Sequence, residues 1–378
     1  MSDRTQCYPQ WVTFRFGSAL ALVAVASACG TETNPPEGDA GARDGSSPPP
    51  SDASQVIHDD YWDASPPPPT CVPLTKPSVV LADKLDGPNG LTLDASNVYF
   101  AEARIYTAKL ESIPKSGGPL GNLGWGGGAY GMANDATSVY WVSYGALPAA
   151  PPGSEGGISR VAKANGATTI LAYGTYDSIS DGRWTRLAMT SSSLFWIDTG
   201  KLSNQYVTGR VLEVPKGGGK TVVLAADQDF ATDIVANSSF VWWMAGDGIH
   251  QVSTSGGLTS VFIPYPGYPK TYPRVGIEDG ALALDDEFLY FTFGDGIQRA
   301  PIATAKPQPL YTGDVVSMTT DAACIYFATK SAIFQMAKSG GPATPIATVA
   351  GQVWSMAADD SGLYYLDYDK GELRRVAR

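Results

Sequence analysis

The sequence predicts an all-β fold: seven four-stranded units closed into a seven-bladed β-propeller. Three observations carry this expectation. An aliphatic residue followed by two aromatics recurs seven times, as Val98-Tyr99-Phe100, Val139-Tyr140-Trp141, Leu194-Phe195-Trp196, Val241-Trp242-Trp243, Leu289-Tyr290-Phe291, Ile325-Tyr326-Phe327 and Leu363-Tyr364-Tyr365. Five residues before each central aromatic stands a turn former: Asp94, Asp135, Thr190, Asn237, Asp285, Asp321 and Asp359. The central aromatics lie 41, 55, 47, 48, 36 and 38 residues apart, and the span from Ser78 to Arg378 holds 301 residues, or 43 per unit. That matches the period of propeller blades, about 40–45 residues.

Each unit reads as four strands. The first is short and apolar, as in "GLTLD", Gly90–Asp94. A tight turn at the Asp follows, where a short carboxylate can bond nearby backbone amides, so these seven residues read as structural. The second strand carries the aromatic pair. Three successive large apolar side chains point to both faces of a sheet, which suits a strand buried on both sides. The third resembles "GRVLEV", Gly209–Val214, and ends in a turn such as "KSGG", Lys115–Gly118. The fourth is of the "TVVLA" type, Thr221–Ala225. The seventh unit stops after three strands. "SVVLA", Ser78–Ala82, precedes the first unit and has the fourth-strand pattern, so it is expected to pair near Gly371–Ala377 and close the ring. Closure removes an exposed edge.

Upstream of the repeats the composition changes. Arg4 and Arg15 precede an apolar run, Gly17–Ala28, with the length of a signal-peptide core and too short to span a bilayer as a helix. It ends "ASAC", which resembles the lipobox of bacterial lipoproteins. The resemblance implies a signal peptide over 1–28, lipid on Cys29 and, with Gly30 rather than Asp beside it, an outer-membrane lipoprotein of the cell envelope. A plain secretory signal cleaved after Ala28 is the alternative. Residues 29–77 are rich in Pro, Ser, Gly and acids, with "PPP" and "PPPP" runs. They read as a disordered tether that holds the domain about 35 Å or more from the lipid. Beyond Cys7 in the signal and Cys29, only Cys71 and Cys324 remain, a pair expected to form a disulfide in an oxidising compartment.

The repeat units themselves, as in "VYWV", Val139–Val142, followed by "GGISRVAK", Gly156–Lys163, resemble the YWTD repeats of low-density-lipoprotein receptors and related bacterial secreted repeats. The resemblance covers 78–378 and implies a propeller, with no ligand attached to it. YWTD propellers usually have six blades, where this chain has seven units.

The formal net charge is −11, and removing residues 1–28, with two Arg and one Asp, makes it −12. No cluster of Lys and Arg offers the charge that phosphate backbones demand, which excludes nucleic acid as a partner. Only two His occur, His58 and His250, so a His-based metal cage or a Ser-His-Asp triad has little to draw on. "SIPK", Ser112–Lys115, matches the SxxK pattern but lacks its companion motifs. "GDGI" occurs at Gly246–Ile249 and Gly294–Ile297, where Asp-Gly is the preferred hairpin turn. Asp247 and Asp295 leave Ca²⁺ or another divalent ion open as a ligand; otherwise no cofactor is expected.

The loops before each first strand carry the candidate binding residues. Trp125, Tyr130, Trp184, Phe230, Tyr268 and Trp354 lie in or beside them. Aromatics gathered at one channel mouth suit stacking on sugars or packing on a peptide. Tyr130, Trp184 and Trp354 are expected to converge there. The reading is a membrane-anchored binding module for an envelope protein, peptide or glycan. The alternative is a lactonase-like or lyase-like propeller enzyme with a channel-bound metal.

Overall fold

The computed structural model describes residues 11–16, 19–24 and 69–378, except for 105–106, 145–146, 148, 152–155, 175–185, 199–201, 204–205, 230, 266–279, 293–295 and 354. The chain forms two units, Met1–Asp63 and Ala64–Arg378. In the first, Trp11–Phe16 and Ala19–Ala24 form an antiparallel hairpin, so part of the run read as a signal core is strand. Cys29 lies outside the described residues. Among the described residues no helix is long and apolar enough to cross a membrane.

The second unit is the seven-bladed propeller. Blade 1 comprises Pro88–Leu93, Asn97–Arg104, Thr107–Pro114 and Gly121–Gly126, each strand antiparallel to the next. Blade 2 runs from Gly128–Asn134 to Thr168–Tyr173, and blade 3 from Leu187–Met189 to Val222–Asp229. Blade 3 adds a short strand, Leu202–Ser203, on Tyr206–Pro215. Blade 4 spans Ile234–Ala236 to Ser260–Pro264, blade 5 Leu282–Leu284 to Gln308–Thr312, and blade 6 Ser317–Thr320 to Thr344–Thr348.

Blade 7 takes Met356–Asp359, Gly362–Asp367 and Glu372–Ala377 from the end of the chain and Val79–Ala82 from its beginning. Val79 pairs with Arg375, Val80 with Arg374 and Ala82 with Leu373. The expected closure is therefore present. Ser78 adds a side-chain contact, its hydroxyl 2.8 Å from the Tyr365 hydroxyl.

The packed unit begins upstream of Ser78. Cys71 and Cys324 form a disulfide, with Cα atoms 5.1 Å apart. Against the disulfide lies the Gln335 carboxamide of blade 6. Its Nε2 donates to the Val72 carbonyl (2.8 Å), and its Oε1 accepts from the Leu74 amide (2.8 Å). Leu74 is buried against blades 6 and 7. Disulfide, carboxamide and Leu74 together strap the N-terminal segment across the seam that the last strand closes.

The aromatic strands fill the spaces between blades. Phe100 packs with Tyr364 and Leu366 of blade 7, while Tyr99 packs with Val139 and Trp141 of blade 2. Both faces of each second strand are buried, as the unalternating sequence demands. At the start of third strands, Gly157, Gly248 and Gly296 have φ of 147–154°, and an added Cβ would meet a fourth-strand carbonyl oxygen at 2.0–2.2 Å. Only glycine fits there.

The turn carboxylates do more than turn the chain. Asp94 accepts from the Ser96 and Asn97 amides and from the Tyr99 hydroxyl (2.6 Å). Lys163 of the next blade also bonds it, at 2.8 Å, and lies 4.4 Å from the centre of the Tyr99 ring. The same clamp joins Asp135, Tyr140 and Lys216, and again Asp285, Tyr290 and Lys338. Arg378, the last residue, reaches Asp321 and Tyr326, and Lys115 reaches Asp359 to join blade 1 to blade 7. Each cation begins the turn after its third strand, and its amide bonds the carbonyl two residues past its own blade's turn former, as Lys163 does with Thr137.

Candidate functional site

Hairpins between first and second strands put the turn carboxylates, their cations and the disulfide on one face of the ring. The connections between second and third strands, and the crossings from blade to blade, lie on the opposite face. The sequence directs the binding candidates to this second face.

Trp125 lies in the outermost strand of blade 1 rather than in a crossing loop, and it is 64% exposed. Tyr130 is in Gly128–Asn134, the first strand of blade 2; its side chain lies outside the described residues, as do Trp184, Phe230, Tyr268 and Trp354. The expected meeting of Tyr130, Trp184 and Trp354 therefore falls outside them too, as does Asp295.

A cleft of about 140 Å³ opens on this face between blades 3 and 4, lined by Asp227, Gln228, Asp229, Ala245, Gly246, Asp247 and His250. It forms where Gln228, one residue before the end of the long fourth strand of blade 3, meets Trp243, whose Nε1 donates to the Gln228 Oε1 (3.0 Å). The Gly246 amide then bonds the Asp229 carbonyl (2.8 Å), drawing the blade 4 turn against the blade 3 strand. Asp247 sits 2.6 Å from the His250 ring nitrogen, so the "GDGI" Asp is more than a turn residue. Three carboxylates, with no lysine or arginine among the described lining residues, favour positive charge. Among the described residues no group of three His, Cys, Asp or Glu stands close enough to hold a metal ion.

Asp233 closes the inner end of the same blade contact. It is buried, its Oδ1 accepts from the Ile234 amide (2.8 Å), and its Oδ2 accepts from the Leu282 amide of blade 5 (2.7 Å). Arg186 at the start of blade 3 stands 3.6 Å away. Burial pushes the Asp233 carboxyl above the usual carboxylate range, against the pull of Arg186 and the two amides. Asp233 thus ties three blades beside the central channel. Sequence reasoning missed it because it precedes a strand of only three residues and belongs to no repeated motif.

Around Trp125 the register sets a row across blade 1: Trp125 opposite Lys109, and Lys109 opposite Glu102. Directly opposed residues of antiparallel strands share a face. Lys109 bridges Glu102 (3.5 Å) and Glu111, and the Asp86 amide donates to the Glu102 Oε2 (2.7 Å). Glu111 is buried, its Oε2 has no hydrogen-bond partner among the described residues, and burial pushes its carboxyl up despite Lys109.

Neither a protein-family model nor a curated protein matches the sequence. Solved structures do resemble its fold. An oligogalacturonate lyase in complex with manganese aligns with a TM-score of 0.55 at 11% identity, over 81% of this chain and 96% of that one. The oligogalacturonate lyase of Vibrio parahaemolyticus gives 0.50 at 10%, over 81% and 92%. The extracellular domain of a hybrid two component system from B. thetaiotaomicron gives 0.55 at 10%, over 80% of this chain and 40% of that chain. At these identities the likeness shows the propeller fold alone.

Proposed function

We propose that this chain is a cell-envelope binding module: a lipid-anchored propeller that presents its loop face to an envelope protein, peptide or glycan. The observation that carries the reading is Trp125. A large apolar side chain stands exposed at the outer edge of blade 1, on a ring that is covalently strapped and closed, and an acidic cleft lies apart from it between blades 3 and 4. Rigid aromatic anchors give binding area at little entropic cost, and such residues dominate binding hot spots. Lipid on Cys29 and the long tether to the propeller would keep that face at the envelope. The likeness to a bacterial extracellular domain agrees with such a location.

Crosslinking in the native envelope, followed by capture of the wild-type chain and of Trp125→Ala, tests the reading. A specific partner captured by the wild type and lost from the variant supports it. Recovery of the same background from both contradicts it. For the anchor, Cys29→Ala should move the protein to the soluble fraction; retention in membranes contradicts lipidation.

A second reading, a lyase-like enzyme with a channel-bound metal, draws on the likeness to the manganese-containing lyase. Incubation with oligogalacturonate and Mn²⁺ checks it: release of an ultraviolet-absorbing unsaturated product would favour the enzyme over the binding module.

A further inference from the structure

We propose that the edge of blade 1 around Trp125 is a stacking subsite for a neutral saccharide ring. This rests on the binding reading above and names its ligand class.

Trp125 departs from the other described tryptophans of the propeller. Trp141, Trp196, Trp242 and Trp243 are each at most 2% exposed, whereas Trp125 is 64% exposed. Its neighbours in the strand, Gly124 and Gly126, face blade 2, where an added Cβ would meet Gly166, Thr168 or Trp141, so the indole stands on the other face of the strand. Beside it on the same face of the blade stand Lys109 and Glu102, both partly exposed. These two groups are held in place. Lys109 is shared between Glu102 and the buried Glu111, and the Asp86 amide fixes the Glu102 carboxylate from the loop that enters blade 1. The edge therefore offers a flat apolar surface with one fixed donor and one fixed acceptor alongside.

That combination selects among ligands. A pyranose has a face of C–H groups that packs on an aromatic ring and a rim of hydroxyls that both donate and accept. Glu102 can accept from those hydroxyls, and Lys109 can donate to them. A cationic ligand would gain the indole face but meet Lys109. An anionic one would meet Glu102 and Glu111 and approach a protein of net charge −11. An uncharged polyol avoids both penalties.

The test uses purified full-length protein and titration calorimetry. Cellohexaose, maltohexaose and laminarihexaose are the neutral probes; hexagalacturonate and hexalysine are the anionic and cationic ones. At least one neutral hexasaccharide should bind. Trp125→Ala should weaken that binding tenfold or more with the melting temperature unchanged, Trp125→Phe should lie between, and Glu102→Gln should cost several-fold. Three results would overturn the inference: no neutral hexasaccharide binds, Trp125→Ala binds as well as the wild type, or Trp125 is needed for a charged probe and for no neutral one. Should the envelope crosslinking still capture a partner through Trp125 while no sugar binds, the saccharide assignment falls and the binding module stands. If both experiments fail, both fall.

Discussion

The contacts that blade 4 makes with blades 3 and 5 differ from the rest of the ring. Five interfaces carry an ionic clamp: Lys163 on Asp94, Lys216 on Asp135, Lys338 on Asp285, Arg378 on Asp321 and Lys115 on Asp359. At the other two, the position of the cation is held by Thr254 and Ile302, whose amides make the same backbone bond. Opposite Thr254 the carboxylate is replaced by Thr190 and the tyrosine by Phe195. Opposite Ile302 they are replaced by Asn237 and Trp242. All three members are lost together. A lone lysine or aspartate at a half-buried seam would be an unpaired charge, and removing one partner costs more than removing both. Thr190 and Asn237 keep the turn, since Thr190 Oγ1 accepts from the Ser193 amide and Asn237 Oδ1 from the Ser239 and Phe240 amides. At blade 4 the polar link moves inward instead, to the buried Asp233 beside the channel. The lesson is that turn formation and blade-to-blade fastening are separable jobs, which one carboxylate performs at five interfaces.

This comparison can be broken in several ways. The largest effect is expected at the seam between blades 6 and 7. Deleting residues 69–82 removes strap, disulfide and closing strand, and should abolish cooperative thermal unfolding. Cys324→Ala alone should cost about 2–4 kcal/mol in urea unfolding, because the bond closes a very long loop. Equal stability of the variant and wild type would show that the strap does not hold the seam.

Next come the clamps. Lys163→Met leaves Asp94 part-buried without its cation and should cost about 1–2 kcal/mol, between the values for exposed and fully buried pairs. Thr254→Met at the unclamped seam should stay within about 0.5 kcal/mol, as surface changes away from such features do. A cost at Thr254 equal to that at Lys163 would erase the distinction.

Acid should act on the two regions in opposite senses. Burial alone raises the carboxyls of Asp94, Asp135, Asp285 and Asp359, but bonds from lysine side chains, hydroxyls and amides outweigh it and hold all four below the usual range. A carboxylate depressed in the folded state stabilises above its unfolded value of about 3.9, and that contribution is lost as pH falls through the lower folded value. Melting temperature should therefore drop below about pH 4, and less so in Asp94→Asn. Asp233 has the reverse sign: its raised carboxyl takes a proton in the folded state first, so acid does not loosen its link. A melting temperature flat from pH 6 to pH 3 would contradict the assignment.

The smallest effect is a gain. Installing the missing set at the seam of blades 3 and 4, as Thr190→Asp, Phe195→Tyr and Thr254→Lys together, should add up to about 1 kcal/mol. Thr254→Lys alone should add nothing or destabilise.

Much of this architecture was legible in the sequence because its signals are local. The aromatic triplet and the Asp five residues earlier sit within one hairpin, so their register repeats visibly. "SVVLA" could be placed because the seventh unit lacked a fourth strand. The disulfide followed once two cysteines remained. The clamps were not legible, although Lys115, Lys163, Lys216, Lys338 and Arg378 stand at equivalent positions. They read as turn residues, because each partner belongs to the neighbouring blade, and for Lys115 it lies at the far end of the chain. Trp125 was found by residue type and placed in or beside a crossing loop; that it ends up exposed in the outer strand of blade 1 was not legible, since exposure at the edge of a blade depends on tertiary packing. Asp247 was read as a turn residue with a divalent ion left open, but its carboxylate neighbours were not legible, because Asp227 and Asp229 reach it only through the meeting of blades 3 and 4.

A pair of double-mutant cycles in urea tests the central claim most directly. One takes Asp94→Asn with Lys163→Met; the other takes the equivalent pair at the unclamped seam, Thr190→Ala with Thr254→Met. A coupling of about 1 kcal/mol or more is expected in the first and none within error in the second. Equal couplings, or none at Asp94 and Lys163, would contradict the claim that charge fastens five blade interfaces and leaves those of blade 4 to apolar packing, Asp233 and the bonds of Gln228 and Asp229.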